Sequence, residues 1–434
     1  MSTSQKPLFR LVLAASSYLL VEAGAWLCLS ASAGKLASFP ELSRQRASVA
    51  AISRDYRSVR DAAPSHVIAE KEVLHPYLGY VDLDLSRPAV PRRNEFEFAD
   101  GRPLFQAPAK DEIVIAVTGA SVAGKLAGEY RAVLREELKK IDQFRDRRIS
   151  VIALALGGYK QPQQYFALAY YLVRGARFDL VVNLDGFNDV ALPLAQNYPH
   201  GVYPGYPRNW YYRVADHLIP ELQALQARKS YLQSLRIRGA GLVDRAPLRY
   251  SFLAHGFWRL WDRLLERESS RLDLQASLFD AGQRSFVRDG PGKKFADARE
   301  VLEESVRIWM RSSVQMKMLS DGYGIRYYHF LQPNQYDLGS KPLTPVERKD
   351  AWREDHPYAP GARAGYPLLR AQAPGLLRSG VKFHDLSRVF ADSHEDYYMD
   401  TCCHVNEAGD RVLARAIAAA IQADLKAHPA RFSR

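Results

Sequence analysis

The sequence predicts an α/β protein: a doubly wound sheet of about five parallel strands, interrupted once by a helical insertion and preceded by an N-terminal transmembrane helix. Two patterns carry the prediction. Short, continuous apolar runs alternate with stretches of helical periodicity, as expected of strands covered on both faces. Four of the five runs are followed directly by Gly, Asp or Ser, residues of tight turns. Bulk composition agrees: 434 residues, 47% hydrophobic and 25% charged, exclude a disordered, collagenous or disulfide-stapled chain. The net charge of +12 is spread along the chain and favours an anionic surface, polymer or membrane as partner without choosing among them.

Residues 1–33 read as an address. Lys6 and Arg10 precede Leu11–Ser30, about twenty mostly apolar residues with Glu22 the single charge, the length needed to cross a bilayer. A signal anchor that stays, spanning the membrane through residues 11–30, is the first expectation. A signal peptide cut after Ala33, in the small-x-small pattern Ala31-Ser32-Ala33, is the second, and a buried core helix the third. The basic flank keeps the amino end inside and exports the rest, although Lys35, Arg44 and Arg46 after the run weaken that orientation.

Residues 34–110 form a lead-in, polar and helical over Ala47–Glu70 and suited to loops and short strands over Pro76–Pro108. The sheet begins in residues 111–190. Ile113–Thr118 is the first strand, Gly119-Ala120-Ser121 turns the chain, and Leu126, Tyr130, Val133, Leu134 and Leu138 give helical spacing. Val151–Leu156 is the second strand, closing in Gly157-Gly158 before a helix over Gln161–Val173. Leu180–Leu184 is the third, followed by Asp185-Gly186-Phe187-Asn188-Asp189. Residues 191–320 far exceed what a crossover needs and read as an insertion. Trp210–Arg238 and Tyr250–Glu268 are helical there, and the last helix puts Leu302, Val306, Trp309, Ser313 and Met316 on one stripe, read as core packing. Arg236, Arg238, Arg245 and Arg249 suggest a lid, or a face for a polymer or membrane. In residues 321–426, Ile325–Leu331 and Val381–Leu386 complete the five strands, and a helix capped near Asn406 carries Leu413, Ile417 and Ile421.

Open parallel sheets bind ligands at the carboxyl ends of their strands. That edge gathers Ser121 after the first strand, Gly158 after the second, Asn188 after the third, and Asp400 with His404 after the fifth. A serine hydroxyl becomes a nucleophile when a base lies in hydrogen-bond reach and an acid orients the base; His404 and Asp400 suit those roles. The developing oxyanion needs donors, and the Ser121 and Gly158 N–H groups with the Asn188 side-chain amide could supply three. Glycine at 158 lets the backbone approach a substrate closely.

With these residues in place the chain resembles the SGNH hydrolase superfamily, the GDSL-type esterases, over Asp111–Asp189 and Gly324–Ala423. Ser121 matches in Thr-Gly-Ala-Ser, Gly158 in Leu-Gly-Gly-Tyr, Asn188 in Gly-Phe-Asn-Asp and His404 in Cys-Cys-His-Val-Asn-Glu-Ala-Gly. The resemblance implies a flavodoxin-like three-layer α/β/α sandwich and ester hydrolysis or acyl transfer. It also implies Ser121, His404 and Asp400 as catalytic residues, an oxyanion hole of Ser121, Gly158 and Asn188, and no metal or organic cofactor. His75-Pro76-Tyr77-Leu78-Gly79-Tyr80 and Leu331-Gln332-Pro333-Asn334 look like a bacterial, membrane-anchored branch. That implies a single-pass inner-membrane protein with its catalytic domain in the periplasm or outside, or a secreted one if cleaved.

Two departures stand out. Ala120 occupies the place of the family's Asp, and the Asp400-to-His404 spacing is one residue longer than the family's. Asp396 and Asp392 are therefore weaker candidates for the acid, and a Ser–His dyad is an alternative. Cys402 and Cys403 leave three options: a strained disulfide that sets the turn, two plain thiols packed beneath the site, or a zinc or redox site with no second cysteine pair to complete it.

The function expected is a membrane-tethered serine esterase or O-acyltransferase acting on acyl, foremost acetyl, esters of a carbohydrate or similar polymer. The alternative is a catalytically silent protein of the same fold that binds polysaccharide or serves export and assembly. Nucleic acid is not an expected partner: the chain has no Gly-x-Gly-x-x-Gly or Walker loop and no cluster of basic and aromatic residues.

Overall fold

The computed structural model describes residues 5–51, 72–82, 108–218, 220–277, 286–429 and 432. The chain divides into two compact units, Met1–Ala69 with Val214–Gln283, and Glu70–Arg213 with Arg284–Arg434.

The second unit holds the sheet. A hairpin of β1 (Glu72–His75) and β2 (Gly79–Asp82) precedes it. Five parallel strands follow: β3 (Glu112–Gly119), β4 (Arg148–Ala155), β5 (Leu180–Asp185), β6 (Arg326–Leu331) and β7 (Lys382–Asp385). Their order is β4-β3-β5-β6-β7. The strands fall on the apolar runs predicted for them, and their β-branched and aromatic side chains suit a pleated, packed surface. Every residue of β3 and β5 is buried, because helices cover a parallel sheet on both faces. The order reverses direction between β3 and β5, and at such a switch point adjacent loops diverge and leave a crevice.

The helical spacing from Leu126 to Leu138 resolves into two helices, Ser121–Ala127 and Arg131–Leu138. The break is at Gly128, whose N–H bonds back to the Lys125 carbonyl. The closing helix, Glu407–Ala427, is capped by the Asn406 side chain on the Gly409 N–H, as its sequence predicted.

The first unit contains the helices Gln5–Ala33, Phe39–Ala51, Pro220–Val243 and Phe252–Ser277. The expected transmembrane helix over residues 11–30 needs correction: no helix among the described residues is long and apolar enough to cross a membrane. The run does form a helix, but Ser16, Ser17, Gly24 and Ser30 dilute it. Its Glu22 carboxylate instead accepts the Phe252 and Leu253 N–H groups at 2.7 and 3.3 Å, with the Ser251 hydroxyl also bonded, and so caps the helix Phe252–Ser277. Arg236, expected on a lid or a face for a polymer or membrane, is turned inward, with its guanidinium bonded to both Asp262 oxygens at 2.7 and 3.1 Å. Residues 52–71 and 83–107 of the predicted lead-in, residues 34–110, lie outside the described residues.

Candidate active site

The carboxyl edge of the sheet is assembled by strand register. Gly119 ends β3 opposite Ala155 of β4 and Leu184 of β5, so the loops after all three strands start side by side. Gly119 has φ +147°, and a Cβ there would lie 2.2 Å from the Leu184 carbonyl oxygen; only glycine permits the turn. The turn delivers Ser121 as the first residue of the helix Ser121–Ala127. Its N–H has no partner within that helix, as at any helix start.

The turn 399–405 carries the other half. Tyr398 and Val405 pair as an antiparallel bridge, closed by the Met399 N–H on the His404 carbonyl at 2.9 Å. Inside it, Oδ1 of Asp400 accepts the N–H groups of Cys402, Cys403 and His404 at 2.9, 3.1 and 3.3 Å. Oδ2 pairs with Nδ1 of His404 at 2.5 Å. One carboxylate thus shapes the turn and orients the imidazole, which is how the longer spacing still brings acid and base together. Among the described residues Nε2 of His404 has no hydrogen-bond partner.

The turn is held from outside. Asn334, Gln335 and Tyr336, which follow β6, donate to the carbonyls of Cys402, Asp400 and Thr401 at 3.0, 2.9 and 2.8 Å. The fully buried Glu347 accepts the Tyr397 and Tyr398 N–H groups on Oε1 at 2.8 and 2.9 Å, and Lys341 Nζ on Oε2 at 2.7 Å. Lys125, one turn after Ser121, donates Nζ to the Val405 carbonyl at 3.1 Å. That bond ties the serine's helix to the histidine's turn.

Electrostatics separate the members. Burial pushes the Asp400 carboxyl up, but its hydrogen bond and charge attraction to His404 outweigh this and hold it below the usual carboxylate range. His404 is pushed up to about 9, first by the Cys403 thiol beside it, against burial, and then by Asp400. The Cys403 thiol is lowered, first by its contact with the Cys402 thiol; burial opposes this, while His404 and the Ser121 hydroxyl assist. Asp410, in the first turn of the helix Glu407–Ala427, is buried with neither carboxylate oxygen hydrogen-bonded among the described residues, and burial raises it to about 7.

The structure therefore brings Ser121, Cys403, His404 and Asp400 into one cluster. Among the described residues no hydrogen bond joins Ser121 to His404; the Ser121 hydroxyl faces the Cys403 thiol. Gly158 and Asn188 come together with each other, through the Asn188 amide on the Tyr159 carbonyl at 3.0 Å. Asp189 laces the same two loops by accepting the Gln161 and Gly186 N–H groups at 2.7 and 3.1 Å. Gly158 has φ +80°, and a Cβ there would lie 2.0 Å from Arg208 Cδ. Arg208 covers that face of the loop, anchored on Glu72 and the Tyr80 hydroxyl at 2.8 and 3.1 Å. Asp396 bonds to the Thr344 hydroxyl and Asp392 is exposed, so neither takes the place of Asp400 beside the imidazole. Cys402 and Cys403 are not joined by a disulfide, and their sulfurs lie 3.2 Å apart. Among the described residues no group of three or more His, Cys, Asp and Glu side chains is arranged to hold a metal ion.

Sequence reasoning missed a second constellation. Ser313 Oγ lies 2.7 Å from His329 Nδ1, and His329 Nε2 lies 2.7 Å from Asp185 Oδ1. Trp309 Nε1 donates to the same Asp185 oxygen at 2.7 Å, and the Asn183 amide donates to the other at 2.8 Å. All of these residues are buried. The available signal was polar atoms, Trp309 and Ser313, on a helix stripe otherwise apolar.

No family model and no curated protein matches the chain. Among solved structures it is similar to a mutant of an acetyl-xylooligosaccharide esterase from Geobacillus Stearmophilus. The identity is 11% and the TM-score 0.33, covering 72% of this chain and 96% of that one. A likeness that loose decides neither fold nor activity, which must come from the geometry above.

Proposed function

We propose that the chain is a serine esterase or O-acyltransferase of SGNH type, with the flavodoxin-like three-layer architecture that type implies. Its substrates are acyl, foremost acetyl, esters on a carbohydrate or similar polymer. The observation that carries the reading is the Asp400–His404 pair at 2.5 Å on a turn bonded through Lys125 to the helix that Ser121 opens. With Nδ1 on Asp400, the His404 tautomer that accepts a proton does so at Nε2. In the reaction, neutral His404 takes the Ser121 proton as Oγ attacks the ester carbon, and Asp400 stabilises the imidazolium. The oxyanion is met by the N–H groups of Ser121 and Gly158 and by the Asn188 amide. Collapse expels the alcohol with the proton from His404, and water or an acceptor hydroxyl then takes the acyl group. Hydrogen bonds of this kind are often long in a free enzyme and tighten around substrate.

The reading includes attachment at the outer face of a membrane, for which the exposed Leu13, Leu19 and Leu20 on the helix Gln5–Ala33 are the support. Hydrolysis of p-nitrophenyl acetate and labelling by a fluorophosphonate test the proposal. Both are lost in Ser121→Ala and His404→Ala with the fold intact, whereas turnover unchanged in both variants defeats it.

A second reading, a catalytically silent protein that binds polysaccharide or serves its export, draws on the Ser121 hydroxyl facing a thiol and on His404 being protonated at neutral pH. Absence of fluorophosphonate labelling at any pH up to 10, together with retained polymer binding, would favour it.

A further inference from the structure

We propose that Cys402 and Cys403 are a redox-active vicinal dithiol, oxidised by a disulfide compound to an intramolecular disulfide, and that its oxidation state sets the activity of the site beside it. The second half rests on the proposed esterase reading; the first half does not.

Three features of the turn support the assignment. The two sulfurs are already in contact at 3.2 Å, about 1 Å beyond a disulfide bond. Their exposures differ in the useful sense: Cys402 is half-buried and able to meet an oxidant, while Cys403 is 2% exposed and packed against Ser121. The backbone of both residues is pinned, with their N–H groups on Asp400 and the Cys402 carbonyl on Asn334, so the thiols are held together rather than meeting by chance.

The step balances. The Cys402 thiolate attacks one sulfur of a disulfide RSSR, forming Cys402–S–SR and expelling RS⁻. The Cys403 thiolate attacks Cys402 Sγ, forming the Cys402–Cys403 bond and expelling the second RS⁻. Two protein thiols are oxidised, RSSR is reduced to two RSH, and the two thiol protons end on the leaving thiolates.

The reduced pair places an ionisable thiol beside His404, and a thiolate there favours the imidazolium. A disulfide carries no charge. Of the groups facing the imidazole, Asp400 then still favours its protonation, Asp410 from the helix Glu407–Ala427 also faces it, and Lys125 from the helix Ser121–Ala127 opposes. Oxidation therefore releases His404 toward the ordinary histidine range and makes it a base at neutral pH. With His404 at about 9, roughly one imidazole in a hundred is neutral at pH 7, against most of them at the ordinary value. Oxidation is expected to raise ester turnover at pH 7 by about tenfold or more.

The experiment uses the full chain with Cys28→Ser, which removes the remaining, exposed cysteine. Excess oxidised glutathione should lower the mass by about 2 Da, abolish both thiols toward dithionitrobenzoate, and move the His404 imidazole titration, followed by NMR, down by one unit or more. Hydrolysis of p-nitrophenyl acetate at pH 7 should rise in parallel and reverse with dithiothreitol. Cys402→Ser should keep the reduced-state titration in either condition, and Cys403→Ala the oxidised-state one. Unchanged mass with two reactive thiols, separate glutathione adducts on both cysteines, or a His404 titration indifferent to oxidation overturns the proposal. If mass and titration respond while no ester is turned over in either state, the redox site stands and the esterase reading falls.

Discussion

The molecule contains two Ser–His–Asp groupings that could hardly be more different in circumstance. Ser313, His329 and Asp185 form an unbroken hydrogen-bonded chain of 2.7 Å links, sealed in the core. Ser121, His404 and Asp400 are half-buried, and their chain is joined only at the acid end. The better-connected set is the one a substrate cannot reach. Polarity also distinguishes them: Asp400 sits on Nδ1 and leaves Nε2 open, the arrangement used by serine hydrolases, whereas Asp185 occupies Nε2 and Ser313 faces Nδ1. Connectivity in the core reflects the rule that buried polar groups must be paired. At the sheet edge an unmade bond is where a reaction can enter.

Substitutions at the two serines separate the sets most sharply. Ser121→Ala should reduce ester turnover by at least about a thousandfold with an unchanged melting temperature. Ser313→Ala should leave kcat/KM within about threefold and lower stability by about 1 kcal/mol. Equal activity losses would erase the distinction between the two sets.

The histidines should widen the contrast in stability. His329→Ala takes one partner from the buried Asp185 carboxylate, leaving it to Trp309 and Asn183, and is expected to lower the unfolding free energy by about 3 kcal/mol in urea titrations. His404→Ala, at a half-buried site, should cost less, about 1 to 2 kcal/mol at pH 7.

A pH series sharpens the comparison further. With the thiols reduced, kcat/KM should rise through a limb near pH 9, because the base must be neutral and His404 stands at about 9. The linkage has a definite sign: a raised His404 contributes stability in full below the ordinary histidine range and loses it as pH climbs through about 9. The lowered Asp400 contributes above the ordinary carboxylate range and loses it as pH falls. Melting curves of the native chain and His404→Ala should therefore converge toward pH 10. Lys125→Met, which frees the turn from the serine's helix, should lower kcat by roughly tenfold with KM little changed.

These contrasts explain what could and could not be read from sequence. The five strands were legible because a parallel sheet buried on both faces must be continuously apolar, and the edge on which Ser121, Gly158, Asn188 and His404 lie followed from that order. The inner constellation was hidden because its partners are remote in the chain: Trp309 meets Asp185 from 124 residues away, and no local pattern signals such a pairing. Hydropathy misjudged the N-terminal run for a related reason, since Glu22 looks like a blemish until the helix it caps is seen. The helix break at Gly128 escaped because two helices in phase preserve one periodicity.

The buried Lys341–Glu347 pair has a practical consequence for protein engineering. The turn bearing Asp400 and His404 does not keep its shape by the Asp400 carboxylate alone; Glu347 and the residues after β6 brace it from elsewhere. A transplant of that short turn into a foreign scaffold would deliver the amino acids without their posture, so any graft has to bring the 334–347 buttress with it.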